Sequence, residues 1–408
     1  MEFGGTLILP SDVLIVPVAS LSSTVRRQIQ AEADDFAISR PSTRSRSRVI
    51  NAAAAELLQQ FREPRTIVEA ILRYSQAKGL DPKNVLEYAF PLLRPLLAER
   101  LLTPSDSSEA RRIEPTFPAG ATLAGCLINC CVQTMEDTEV YRAIAPKGES
   151  VAIKIVRPNA RAEVTTRLEM EGRILTHLDG TVSPVLRGRG AEAGRPFLLL
   201  EWCHGTDAAA AAARLRQTGS EADAVALLRL GGAILRAFSS LHDQGVIHGD
   251  IHPKNVLISS DGRAKVIDFG FAHLSTTNTT FRDPTRGGVG YYFEPEYAHA
   301  CLRNEEPPPA TEAGEQYALA ALLYYLFAGE HYLSFSLGRE DFLRQIAAET
   351  PLSFSERGLT HWPDLERILS RALHKDPAAR FASLRNFAEE WETVALPFSG
   401  ARLPSARA

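Results

Sequence analysis

Apolar residues in the first hundred positions follow two rhythms. Four short runs, TLIL, VLIVPV, FAISR and RSRVI, read as β-strands, and three longer segments after them carry apolar positions at helical spacing. Asn51 stands as an N-cap before AAAAELLQQF. Thr66 and Glu69 form a capping box opening RTIVEAILRYSQAKG, which Gly79 ends. Asp81-Pro82 starts a third helix, NVLEYAFPLLRPLLAERLL, which Pro91 and Pro95 are expected to kink or split in two. Residues 104–120, rich in Pro, Ser and charge, read as a linker. β-type runs resume at 121–157 with EVYRAIA and SVAIKIV, followed by the helix AEVTTRLEMEGRILTHL and the strand PFLLLEW. The alanine run 208–213 reads as part of a helix. From about 221 the pattern is mostly helical, including the long apolar segment QYALAALLYYLFAG. A small β-rich half followed by a larger helical half implies a cleft between two lobes. The last dozen residues read as a mobile tail.

Composition narrows the class. With 45% apolar and 23% charged residues the chain reads as soluble and globular, long enough for two or three domains. A net charge of −4 gives no global pull toward nucleic acid or anionic membrane. No run is expected to be apolar enough to span a bilayer, and the N-terminus lacks the basic flank of a signal peptide. The five cysteines, Cys126, Cys130, Cys131, Cys203 and Cys301, form no C-x-x-C pair or metal-spaced cluster; they read as buried free thiols of a cytoplasmic protein.

The stretch VIHGDIHPKNVLI, residues 246–258, sets Asp250 and Asn255 in a polar loop between two apolar runs. It resembles the protein-kinase catalytic loop, H-R-D-L-K-P-E-N, and Val266-Ile267-Asp268-Phe269-Gly270 resembles that family's D-F-G motif. Val151-Ala152-Ile153-Lys154 matches V-A-I-K, and Glu171 matches the glutamate of the helix that follows it. Glu294-Pro295-Glu296 stands where kinases carry A-P-E, Glu315 opens the central helix, and Arg380 matches the arginine that pairs with the A-P-E glutamate. Taken singly, Lys154 and Glu171 read as a surface ion pair, and Asp250 or Asp268 as turn residues. Together and in order, these elements make the resemblance specific.

The resemblance implies an α+β fold: a bilobal kinase domain over 121–395, divided into lobes 121–203 and 204–395. It implies ATP and Mg²⁺ as cofactors. Lys154, steered by Glu171, is expected to hold phosphates, Asn255 and Asp268 to chelate the metal, and Asp250 to orient the acceptor hydroxyl. Val140, Ala152, Leu257 and the hinge at Glu201 and Cys203 are expected to meet the nucleotide. His252, in place of the loop lysine, joins the catalytic group.

Four departures qualify it. Gln133, Met135 and Thr138 stand where the Gly-rich loop has its glycines, and Glu136-Asp137 adds repulsion toward phosphate. Gly249 replaces the arginine that docks a phosphorylated activation loop, although Thr276, Thr277, Thr279, Thr280 and Thr285 remain possible modification sites. His252 gives less reliable charge than lysine. Val289 replaces the threonine that bonds that lysine and the catalytic aspartate. H-G-D-I-H-P also resembles the loop of small-molecule phosphotransferases.

Residues 1–103 resemble the PqqD-type fold, a small winged-helix-like α+β module that recognises leader peptides by adding them as a strand to a sheet edge. R-V-I-N before an alanine-rich helix and R-T-I-x-E-A-I carry that match. The basic run Arg40, Arg44, Arg46, Arg48 admits a DNA-binding reading. Without aromatic interleaving, and in an acidic chain, it reads equally as a solvated strand face. The expected function is therefore Mg-ATP-dependent phosphorylation of Ser or Thr on a peptide or protein. A pseudokinase scaffold and a small-molecule phosphotransferase are the alternatives.

Overall fold

The computed structural model describes residues 5–21, 26, 31–32, 34–45, 47–217, 220–275, 286–336 and 338–394. Arg46, the five activation-loop threonines and the C-terminal tail lie outside the described residues. The chain divides into two compact units. One holds residues 1–121, 128–141 and 157–160; the other holds 122–127, 142–156 and 161–408.

In the first unit, β1 (Leu7–Ile8) pairs with β5 (Thr103–Pro104). β2 (Leu14–Pro17), β3 (Phe36–Ser39) and β4 (Arg48–Ile50) make an antiparallel three-stranded sheet in that order. Three helices follow: α1 (Ala52–Gln59), α2 (Ile67–Lys78) and α3 (Pro82–Ala98). Asn51 Oδ1 accepts from the Ala54 N–H at 2.9 Å, capping α1. The Thr66–Glu69 box forms reciprocally, and Gly79 closes α2 at φ +66°, where a side chain would be strained.

The expected split of α3 does not occur. Pro91 lies on its exposed face, so the carbonyl it deprives of a donor faces water, while Val85, Ala89, Leu93 and Leu96 pack the opposite face into the core. That core also contains Leu9, Ile38, Leu57, Leu58 and Phe61.

The described arginines of the run each pair with an acid of the same unit. Arg40 is buried against Asp12 at 3.0 Å, and Arg48 reaches Glu99 at 2.6 Å. Arg44 Nε donates to Asp137 at 2.7 Å, and Arg100 approaches Glu136 at 3.9 Å. Arg44 and Arg48 are still 52% and 42% exposed, so among the described residues of the run only Arg40, which is buried, departs from the solvated-face reading. The acidic pair at the β7–β8 turn is met by arginines from earlier in the chain.

Strands β6 (Thr122–Leu123), β7 (Cys126–Thr134), β8 (Thr138–Ile144), β9 (Ser150–Val156), β10 (Leu186–Glu192) and β11 (Arg195–Glu201) make a six-stranded sheet in the order β10-β11-β9-β8-β7-β6. α4 (Ala162–His177) lies between β9 and β10 in sequence. β12 (Thr206–Asp207), α5 (Ala208–Leu215), α6 (Glu221–Asp243), β13 (Val246–Ile247), β14 (Val256–Ile258), β15 (Ala264–Val266) and β16 (His273–Leu274) follow. The chain continues through α7 (Pro295–Leu302), α8 (Glu312–Ala328), α9 (Arg339–Ala348), α10 (Pro363–Ala372) and α11 (Leu384–Trp391). α8 is buried from Gly314 through Tyr324 and forms the axis of the helical part.

Two expectations change. α6 is long and apolar enough to cross a membrane by length and composition, contrary to the sequence expectation. Here it is a core helix: Leu227, Ile234, Leu235 and Phe238 are buried, and Trp391 packs onto Gly231 where any Cβ would collide. All five cysteines are free thiols, but Cys126 alone among them is fully buried and Cys130 is exposed.

His331 gives the helical part a pH dependence. Its ring stacks on Tyr291 at 4.0 Å and Tyr325 at 5.0 Å and is 7% exposed. Burial, reinforced by Arg357, brings its pKa down to about 3. Because the folded value lies below the unfolded one, stability is full above pH ~6.5 and is lost as pH falls toward 3. At pH 5 the loss attributable to this ring reaches up to about 2 kcal/mol. Urea denaturation at pH 7 and pH 5 should show this, and His331→Phe should flatten the difference. Equal pH slopes in the two proteins would contradict it.

Candidate functional site

Alternation along β9 buries Val151, Ile153 and Ile155 on one face and leaves Ala152 and Lys154 half-buried on the other. On α4, Glu171 lies three residues from both Leu168 and Ile174, inside the buried stripe, and its side chain is 2% exposed. A carboxylate so placed needs a cation. Lys154 Nζ supplies it, donating to Glu171 Oε2 at 2.6 Å and to Asp268 Oδ1 at 2.8 Å. Burial alone would lower Lys154, but the two carboxylates hold it above its ordinary value. Burial raises Glu171 against the pull of Lys154. Asp268 is opposed by burial yet held down to about 2, mainly by Lys154, so it is ionised at neutral pH.

Asp268 adopts φ +64°, unusual for a residue with a side chain and of the kind that clusters at functional sites. Its side chain remains 44% exposed, leaving a carboxylate edge open to a ligand.

The loop between β13 and β14 is set by His248, which is fully buried and packs edge-on against Phe269 and Phe238. The Asp250 N–H donates to His248 Nδ1 at 3.3 Å, so Nε2 carries the proton that reaches the Ile267 carbonyl at 3.1 Å. Asn255 Nδ2 donates to the Asp250 carbonyl at 2.9 Å and to its Oδ2 at 3.2 Å, which leaves Asn255 Oδ1 as an acceptor. Asp250 Oδ1 is buried with no hydrogen-bond partner among the described residues. His252 Nε2 stands 3.7 Å from Asp250 Oδ2, beyond hydrogen-bond reach.

Gly249 occupies φ +78°, and a Cβ there would lie 2.6 Å from the Phe271 carbonyl oxygen. Its N–H donates to Glu315 Oε1 at 2.7 Å, and Glu315 also holds His242 at 2.6 Å. The departure from arginine at this position is thus steric as well as chemical. Gly249→Ala should destabilise by about 1–3 kcal/mol; a urea midpoint identical to that of wild type would refute the clash.

Strand β11 runs antiparallel to β9, pairing Leu200 with Ala152 and Glu201 with Val151. The Glu201 carboxylate is engaged by Lys265 at 2.6 Å, so only its backbone is free of that pair. Burial pushes the Cys203 thiol up to about 11, making it neutral. Leu257 is half-buried in β14, opposite Lys265 and Asp207. Val140 lies in the part of β8 grouped with the first unit; the other candidate residues belong to the second.

Beside Asp250, a small cavity, partly open to solvent, is lined by Gly249, Arg286, Val289, Tyr292 and Glu294 among others. Glu296 at the start of α7 is clasped by Arg380 through two parallel bonds of 2.9 and 2.8 Å. Arg286 holds Glu294 at 2.6 and 2.7 Å. Sequence reading passed over His248 and Arg286. The signal for Arg286 was present: an acid standing where the resembled motif has alanine needs a cation if buried.

The donor set suits magnesium. Asp268 and Asn255 offer oxygens, and a hard ion completed by phosphates and water needs few protein ligands.

Residues 136–391 match the protein kinase domain family. The chain is 24% identical over 299 residues to serine/threonine-protein kinase PknL of Mycobacterium tuberculosis, covering 69% of each chain. It is 28% identical to calcium/calmodulin-dependent serine/threonine-protein kinase 1 of Oryza sativa, over 62% of this chain and 41% of that one. Against serine/threonine-protein kinase PrkC of Bacillus subtilis it is 31% identical, over 40% of this chain and 24% of that one.

Proposed function

The chain belongs to the protein kinase family and is a serine/threonine protein kinase, and from that premise we propose that it uses Mg-ATP to phosphorylate a peptide or protein recruited by residues 1–103. The observation carrying the nucleotide part is Lys154 held between Glu171 and Asp268 at 2.6 and 2.8 Å. Such a lysine is charged, immobile and aimed, which is what binding phosphate oxygens requires. Magnesium, when bound, neutralises phosphate charge that develops during transfer; Asp268 and Asn255 are the residues to hold it. Among the described residues Asp250 keeps an unsatisfied carboxylate oxygen for the acceptor hydroxyl, and His248 with Asn255 fixes that residue in place.

The recruitment part is supported by the sheet of the first unit. Among the described residues β4 pairs on one side only, with β3, leaving a backbone edge to which an extended peptide could add. The test is transfer of labelled γ-phosphate to candidate peptides, with and without Val49→Pro. Proline at β4 should raise KM for the peptide and leave kcat unchanged. An unchanged KM would remove the recruitment role while leaving the kinase reading intact.

A further inference from the structure

We propose that Arg286 is a positioning residue: by pairing with Glu294 it fixes the acceptor-side segment 286–296, so that this segment keeps its shape without a phosphorylated residue. The inference rests on the phosphotransfer reading and adds a mode of regulation to it. Kinase activation segments are commonly ordered when a phosphate meets an arginine. Here the position that supplies the arginine in the resembled loop is Gly249, whose backbone leaves no room even for a Cβ beside the Phe271 carbonyl.

The charge instead comes from within the segment. Arg286 Nη2 reaches both Glu294 oxygens at 2.6 and 2.7 Å, and the two side chains are 10% and 6% exposed. The guanidinium also faces the rings of Phe293 and Tyr297, at 5.8 and 5.5 Å, and those rings stack on each other at 3.9 Å. Glu294 stands in extended conformation at the residue before α7, its side chain turned to Arg286 rather than capping the helix, directly before the Pro295-Glu296 whose glutamate Arg380 clasps. The carboxylate therefore takes, inside the protein, the part that an added phosphate takes elsewhere: an anion tying the segment to an arginine. Both partners line the cavity beside Asp250, so their geometry bears on where the acceptor hydroxyl sits.

The test has two readouts. In phosphatase-treated wild type, kcat should stay within about twofold of the untreated value, whereas Arg286→Ala should lose about 100-fold, since breaking a buried pair leaves an uncompensated charge. KM for ATP should not change, Arg286→Lys should recover part of the loss, and the swap Arg286→Glu with Glu294→Arg should recover more than either single change. Amide hydrogen exchange over 287–294 should rise about 100-fold in Arg286→Ala and fall back in the swap. Exchange is read without turnover, so it judges the clamp even if no transfer is observed. Should phosphatase abolish activity, or should exchange in Arg286→Ala match wild type, the proposal is overturned.

Discussion

Asp250→Ala lowers the rate constant for phosphoryl transfer by about 10²–10⁴-fold while Mg-ATP still binds. The expectation follows from where Asp250 sits. Its Oδ2 accepts from Asn255, its Oδ1 is buried without a partner among the described residues, and its backbone is tied to His248. A protein does not usually leave a buried carboxylate oxygen unsatisfied, and one facing an open cavity is available to a hydroxyl that arrives with the substrate. Asp250 touches neither Lys154 nor Asp268, and Asn255 keeps its bond to the backbone carbonyl of position 250 when the side chain is removed, so nucleotide affinity should be preserved. Single-turnover transfer beside isothermal titration with Mg-ATP separates the two effects. Loss of both binding and transfer would place Asp250 in the nucleotide site instead.

Lys154→Met has the second large effect, and it falls on folding as well as activity. Lys154 and Glu171 are 13% and 2% exposed, and methionine leaves Glu171 buried without its cation. Removing one partner of such a pair costs about 3–5 kcal/mol. The variant should also lose about 10²–10³-fold in kcat, the scale on which a preorganised charge acts. Adding Glu171→Gln to Lys154→Met removes the stranded charge and should restore much of the stability but none of the activity. A double-mutant cycle in urea checks this; if the double variant is as unstable as Lys154→Met, the cost lies in packing rather than charge.

Much of this was legible from local pattern. Caps and boxes depend on residues three apart, so Asn51, Thr66 with Glu69, and Gly79 could be read directly. The family motifs survive as short strings for a similar reason, because positioning phosphate and metal tolerates few residue types. What escaped depends on pairing at a distance. Arg44 and Asp137 are 93 residues apart, so the acidic turn read as repulsive without the arginine that meets it. The continuity of α3 through two prolines depends on which face is buried, and β10, with Arg and Gly at alternate positions, exists because it pairs with the apolar β11. His248 and Gly249 needed coordinates: the first to show a fixed tautomer, the second to show that no side chain fits.

The most direct test of the central claim is incubation of the purified wild-type protein with Mg-ATP labelled at the γ-phosphate, scored by phosphoamino-acid analysis. The structure leads us to expect label on Ser or Thr of a peptide or protein, dependent on Mg²⁺ and lowered by about 10²–10⁴-fold in Asp250→Ala. Nucleotide binding with no labelled product, or label appearing only on a small molecule, would contradict it.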